Sequence, residues 1–329
     1  MWSVVGHEWS VRMLQHSVSR NRIAHAYLLT GLAQIGKTTL ATNFAQALNC
    51  TGEDKPCGSC SNCRKIADGY HPDVQIIEGV GGAIKIEQIR QLQSTVALSP
   101  HEAPWRVCIL LDMDRATPEA ANCLLKTLEE PPGRVVLILT AASSHALLPT
   151  LVSRCQHLPL RALSADTVAR ALQDIWHVAP GEARSLAHWS GGRIGWAVTA
   201  LRDRSLLERR SLLLGGMLRA LPAHRFERMR YAEELSAHRD DIPVALELWQ
   251  SWWRDLLLVS LGMSGMVVNT DQLDSLRIWE GRYNTKQILG FLTELLRTAR
   301  ALEQDANARL GLEALFLRVP PAAWTESAI

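Results

Sequence analysis

The sequence predicts a doubly wound α/β domain followed by a longer all-helical half. Three observations carry this reading. Short apolar runs alternate with amphipathic segments up to about residue 160, the order of a parallel sheet covered on both faces. A glycine-rich loop, "GLAQIGKT" at residues 31–38, joins the first run to the first helical segment. After residue 160 no run reads as a strand, and residues 206–318 are helical in pattern.

The elements follow in order. "AHAYLLT" is a buried strand running into the loop, and "TTLATNFAQALNC" sets Leu40, Phe44, Ala47 and Leu48 at helical spacing. Residues 50–69 are a polar, cysteine-rich insertion. "DVQIIEG" is the second strand, and "IKIEQIRQLQSTVAL" a helix with Ile86, Ile89, Leu92 and Val96 on one face. "WRVCILLD", apolar throughout, is a third and central strand. "TPEAANCLLKTLEEPPG" is a helix capped by Thr117, with Pro118 at its first position and Pro131-Pro132-Gly133 as its stop. "RVVLILTA" and "HLPLRAL" complete the sheet. "SADTVARALQDIW", "GEARSLAHWSGG" and "IGWAVTALRD" form a small helical group, and the tail "VPPAAWTESAI" is expected to be loosely held.

Composition narrows the function. The chain has 329 residues, room for two or three domains, with 21% charged and 47% hydrophobic residues. A net charge of +2 excludes wrapping nucleic acid by bulk charge. The opening "MWSVVGHEWSVRM" lacks the pattern of a secretory signal, and no apolar stretch reaches the length of a membrane span. Four of the seven cysteines lie close together, which points to a cytoplasmic protein with a metal site rather than to disulfides.

Two motifs carry chemistry. Gly31 to Thr38 fits G-x-x-x-x-G-K-T in full, between a strand and a helix. Glycines let backbone N–H groups face phosphate oxygens, and the helix dipole points at the same place. Lys37 would reach the outer phosphates and Thr38, beside Thr39, would ligate Mg²⁺. Cys50, Cys57, Cys60 and Cys63 read C-x6-C-x2-C-x2-C, a spacing that converges four thiolates on a structural Zn²⁺. Thiol exchange by Cys57 and Cys60 is the rival reading; a fourth cysteine and the polar loop favour zinc. Cys108 and Cys123 read as small buried residues. His71-Pro72-Asp73 reads as a turn without chemistry. Trp249, Trp252 and Trp253 are spaced for burial among helices rather than for stacking on bases.

These features together resemble the bacterial DNA polymerase III clamp-loader family. The resemblance rests on the loop, the cysteine module after its helix, "HPDV" at 71–74, "AANCLLKTLEEPP" at 120–132 and "SRC" at 153–155. It implies an AAA+ domain over 1–160 with a zinc module at about 50–69, a helical lid over 161–205, and a helical collar over 206–329 that joins a pentameric ring. Within the family the chain looks most like the delta-prime branch, with the gamma and tau motors as near relatives. The implied partners are the motor and delta subunits and, through the complex, the sliding clamp and primed DNA, with no membrane.

The resemblance also sharpens the loop. Motor subunits end the third strand in an Asp-Glu pair that serves Mg²⁺ and the attacking water. Here "LLDMDR" follows Asp112 with Met113, so one acid is missing, and Asp114 stands two residues on. In "SGGRIGWAV" the motor's phosphate-contacting arginine position falls on Gly195, while Arg193 is displaced by about 200° around a helix. The pocket implied at Gly31, Gly36, Lys37, Thr38, Thr39, Asp112 and the strand-end Thr140 is therefore competent for ATP and Mg²⁺ but weak or silent in hydrolysis. Arg154 of "SRC" would instead serve a neighbour's ATP as an arginine finger; its plainer reading is a surface arginine. The runner-up is an active gamma- or tau-like motor, against which the chain's length argues. A stand-alone P-loop enzyme lacks an acceptor site, and a zinc-dependent DNA-binding protein has only Arg64 and Lys65 as a basic footprint.

Overall fold

A computed structural model describes residues 2–131, 133–304 and 306–322. Pro132 of the predicted helix stop and residues 323–329 of the predicted loose tail lie outside the described residues. The chain divides into two compact units, residues 1–177 with 192–196, and residues 178–191 with 197–329.

The first unit is built on five parallel strands: β1 (Ala26–Thr30), β2 (Val74–Ile77), β3 (Arg106–Leu110), β4 (Val135–Ala141) and β5 (Gln156–Pro159). Their order is β2-β3-β4-β1-β5. Register is set by pairs such as Leu28 with Leu139 and with His157, and Ile109 with Ile138. Its helices are α1 (Glu8–Ser19), α2 (Lys37–Asn49), α3 (Ser61–Ala67), α4 (Ile86–Val96), α5 (Pro118–Glu129), α6 (Pro149–Val152) and α7 (Ala165–Trp176). Side chains alternate across a strand, so each of the central strands feeds two cores. Leu28, Cys108, Leu110, Leu137 and Leu139 pack with Ile89, Leu92 and Val96 of α4 and Leu124 and Leu128 of α5. Tyr27, Leu29, Val107, Ile109 and Ile138 pack with Leu14 of α1 and Leu40, Phe44 and Leu48 of α2. This is the doubly wound arrangement the apolar runs predict. Thr117 caps α5 as expected, its hydroxyl accepting from Ala120 N at 3.3 Å.

The second unit is helical: α8 (Pro180–Trp189), most of α9 (Ile194–Arg202), α10 (Ser205–Ala220), α11 (Arg225–Ser236), α12 (Asp241–Ser260), α13 (Leu273–Trp279), α14 (Thr285–Glu303) and α15 (Ala308–Leu317). Trp249, Trp252 and Trp253 of α12 are buried in its core, as their spacing predicts. Trp249 meets Phe316 edge-on with ring centres 5.4 Å apart, and Trp253 lies 4.6 Å from Phe291. Such buried rings are not available to stack on bases. One buried polar knot was not foreseen. The Asp255 carboxylate accepts from Val268 N at 3.0 Å and Asn269 N at 2.7 Å, while Arg210 binds Asp271 and Asn269. It fixes the turn before α13, and each partner lies too far along the chain for local pattern to connect them. No helix among the described residues is long and apolar enough to cross a membrane.

Candidate functional sites at the two ends of one helix

Helix α2 starts at the glycine-rich loop and ends at the first cysteine of the module. At its N-terminus, Gly36 caps the helix with φ +110°, a backbone conformation that side chains with a Cβ rarely adopt. Gly31 leaves no room for a Cβ, which would lie 2.6 Å from Leu160 O. Lys37 is buried and folds back on its own loop, donating to Gly31 O at 2.6 Å and Leu32 O at 3.0 Å. Burial lowers its pKa, against the opposing fields of Asp112 and Asp114. Thr38 and Thr39 are exposed at the first turn of α2.

The acidic residues stand past the strand, not on it. β3 ends at Leu110, and Asp112 takes a left-handed conformation, φ +50°, at the start of a short 3₁₀ turn, Met113–Arg115. Thr140, fully buried in β4, accepts from Asp112 N at 2.9 Å and so braces this kink. Asp114 accepts from Ala142 N at 3.1 Å, so its carboxylate ties the turn after β3 to the end of β4. The period-2 facing that would let Asp114 stand in for a missing acid does not survive, because the strand has ended before it.

The start of α9 reaches the same loop. Gly195 N donates to Gln34 O at 2.8 Å, and a Cβ on Gly195 would lie 2.7 Å from that oxygen. The backbone of the first turn of α9 therefore sits directly on the loop at Gly195. Sequence pattern found the glycine but not this contact, whose partner lies far back in the chain.

At the other end of α2 the four sulfurs of Cys50, Cys57, Cys60 and Cys63 lie within 4.8 Å of one another, with Cys60 Sγ 4.0 Å from Cys50 Sγ. Four thiolates around a tetrahedral ion stand roughly 3.8 Å apart, so this set can hold one. The separations are far beyond a disulfide bond, and all four cysteines are free thiols. Backbone N–H groups aim at the sulfurs: Gly52 and Cys57 on Cys50 at 3.3 Å each, Cys60 on Cys57 at 3.2 Å, Cys63 on Cys60 at 3.4 Å. Such donors favour the ligating thiolate. The Ser59 hydroxyl, with the amides of Cys60 and Ser59, brings the Cys57 thiol down to about 5. Burial opposes the shift at Cys60, but donors from Cys63 and Thr51 still bring it to about 7. Burial pushes Cys63 up to about 12.

The short helix α3, absent from the sequence reading, carries the last ligand. Its start is capped by Cys60, and Cys63 and Ile66 are its buried residues. Side-chain amides bolt the module down: Gln46 Nε2 donates to Cys63 O at 2.8 Å, Asn62 Nδ2 to Asn49 O at 2.8 Å, and Asn49 Nδ2 to Trp105 O at 3.0 Å.

"HPDV" does more than turn the chain. Asp73 is buried and accepts from the backbone amides of His101, Glu102 and Ala103 at 2.6, 2.8 and 3.0 Å, and from Arg106 at 3.1 Å. Burial works against ionisation, but these donors win and hold the carboxyl down to about 2. An acid beside proline at the start of a strand was the available signal; its partners lie in the loop before β3 and at the first residue of β3.

Arg154 follows α6 at the surface. Its Nη1 donates to Thr150 O at 2.9 Å, and its Nη2 pairs with Glu129 Oε1 at 2.7 Å. Beside it, burial pushes the Cys155 thiol up to about 12, which makes it an unreactive packing residue.

A family model described as DNA polymerase III, delta subunit, matches residues 6–164. The chain is 29% identical over 317 residues to DNA polymerase III subunit delta' of Bacillus subtilis, covering 93% of this chain and 94% of that one. It is 35% identical over 224 residues to subunit delta' of Pseudomonas aeruginosa, covering 65% of this chain and 66% of that one. It is 36% identical over 174 residues to DNA polymerase III subunit tau of Escherichia coli, covering 52% of this chain but only 27% of tau.

Proposed function

The chain belongs to the DNA polymerase III clamp-loader family and is delta-prime-like within it; from that premise we propose that it is a non-hydrolysing AAA+ subunit which helps load the sliding clamp onto primed DNA. It carries a nucleotide pocket of its own at Gly31, Gly36, Lys37, Thr38, Thr39, Asp112 and Thr140, open to ATP with Mg²⁺ but without turnover. It supplies Arg154 to the ATP of a neighbouring motor subunit. Its partners are the gamma or tau motors and delta in a pentameric cytoplasmic ring. Residues 161–205 act as the lid and 206–329 as the collar.

The observation that carries this reading is the end of β3. A complete phosphate loop faces a strand that stops at Leu110, with Asp112 kinked just after it and Asp114 tied to Ala142 N instead of standing beside it as a pair. Phosphoryl transfer to water needs the metal held and the water polarised, which two adjacent acids do in motor subunits. Gly195 supports the same conclusion, since a glycine seated on Gln34 O cannot extend a charge toward a γ-phosphate. The cysteine set accommodates Zn²⁺: four thiolates, three of them receiving N–H donors, leave no open position for a substrate, so the ion's role is structural.

The test is the complex reconstituted from this chain and its motor and delta partners. Arg154→Ala should assemble normally and lower clamp- and DNA-stimulated ATP hydrolysis, because an arginine finger is worth roughly 10³ to 10⁵ in rate at the interface it serves. Other interfaces keep their own arginines, so the loss in the whole ring is partial. Arg154→Lys should lose nearly as much, since a point charge does not replace the planar fork. Equal hydrolysis and loading by wild type and Arg154→Ala at equal assembly would reduce Arg154 to a surface residue.

A further inference from the structure

We infer that Glu129 is a positioning residue for Arg154, fixing the plane in which its guanidinium meets a neighbour's phosphate. This rests on the reading of Arg154 as a finger acting in trans. Two anchors from different elements hold the group: the carbonyl of Thr150 in α6 takes Nη1 at 2.9 Å, and the carboxylate of Glu129 takes Nη2 at 2.7 Å. A planar fork bonded at two of its nitrogens is biased toward one plane, and its remaining N–H donors stay available to phosphate oxygens. The Arg154 side chain keeps 35% of its exposure, so the held group still faces solvent.

Glu129 is badly placed for stability. It is the last residue of α5, where the negative end of the helix dipole disfavours a carboxylate. Its side chain is 51% exposed, and ion pairs of that kind add little to folding. An acid at this position is explained by what it does to Arg154. Ordering the arginine in advance removes a conformational cost that would otherwise fall on the step in which it engages ATP.

The reconstituted complex tests this with Glu129→Ala, Glu129→Gln, Arg154→Ala and the double variant Glu129→Ala/Arg154→Ala. Glu129→Ala should remove most of the Arg154-dependent ATP turnover, roughly tenfold at that interface, through misplacement of the fork. Glu129→Gln keeps an oxygen acceptor and should retain most of it. In the Arg154→Ala background, removing Glu129 should change nothing further, the non-additivity of two groups acting as one. The melting temperature of the isolated chain should not move. If Arg154→Ala lowers turnover while Glu129→Ala leaves it intact or raises it, the inference is overturned and the finger stands. An equal loss from Glu129→Ala with and without Arg154 overturns it as well. If Arg154→Ala itself changes nothing, the finger reading fails, and the role of Glu129 falls with it.

Discussion

Helix α2 joins two sites of opposite construction. At its C-terminal end every sulfur of the cysteine cluster comes from residues 50–63, and the amides that polarise those sulfurs come from the same stretch. At its N-terminal end the loop is equally complete as a stretch of sequence, yet what it can do depends on β3, β4 and the start of α9. A ligand cage can be written into one short segment because its chemistry is the donor set itself. Hydrolysis cannot, because it needs a cradle, an acid and a charge delivered from separate elements. The cysteine set is complete within its own segment, while the loop is complete only as a cradle.

The comparison breaks most visibly at the cage. Replacing Cys50 and Cys63 with serine should abolish binding of about one Zn²⁺ per chain and open residues 50–70 to protease. Structural zinc in small modules contributes roughly 10–16 kcal/mol of apparent free energy, so this is the largest effect expected. Metal analysis and limited proteolysis check it. Metal-free protein with undiminished protease resistance in this segment would end the assignment.

A smaller effect tests the seat of the first turn of α9 on the loop. Alanine ordinarily stabilises a helix relative to glycine, by about 1 kcal/mol. At Gly195 the sign should reverse, since the added Cβ would stand 2.7 Å from the Gln34 carbonyl oxygen, a backbone atom that cannot step aside. Gly195→Ala should destabilise by about 1–3 kcal/mol, read as a lowered melting temperature. A raised one would mean that Gly195 does not rest there.

The smallest effect belongs to the loop lysine. The isolated chain should show negligible ATP turnover with or without Lys37→Ala, and the hydrolysis of the assembled complex should stay largely intact with that variant. Measurable turnover by the isolated chain that disappears with Lys37→Ala would turn the comparison over: both ends of α2 would then be working sites, and the chain a motor.

Much of this was legible in advance. The alternation of β1, β3 and β4 with α2, α4 and α5 follows from apolar runs and helical spacing, because burial on both faces of a parallel sheet leaves that trace in any such sequence. Thr117 and Pro118 announced the start of α5 by capping chemistry that acts within one turn. The tryptophans of α12 announced their own burial. Helix α1 was missed although Leu14 is fully buried, and α3 was hidden inside a segment whose polarity suggested only a loop.

What the sequence by itself determined is therefore the set of things that neighbours in the chain decide: strands, caps, the glycine loop, four cysteines at converging spacing, and the absence of an acidic pair after Leu111. Only the tertiary structure decided how distant residues meet. It put the amide of Asp112 on the hydroxyl of Thr140, Gly195 on the carbonyl of Gln34, three loop amides and Arg106 on Asp73, and the carboxylate of Glu129 on Arg154. The physical reason is range. Propensity, capping and ligand spacing act over a few residues and leave a periodic or motif-like trace. A hydrogen bond between residues far apart in the chain depends on where packing sets two backbones, and it leaves no trace in either one's neighbours.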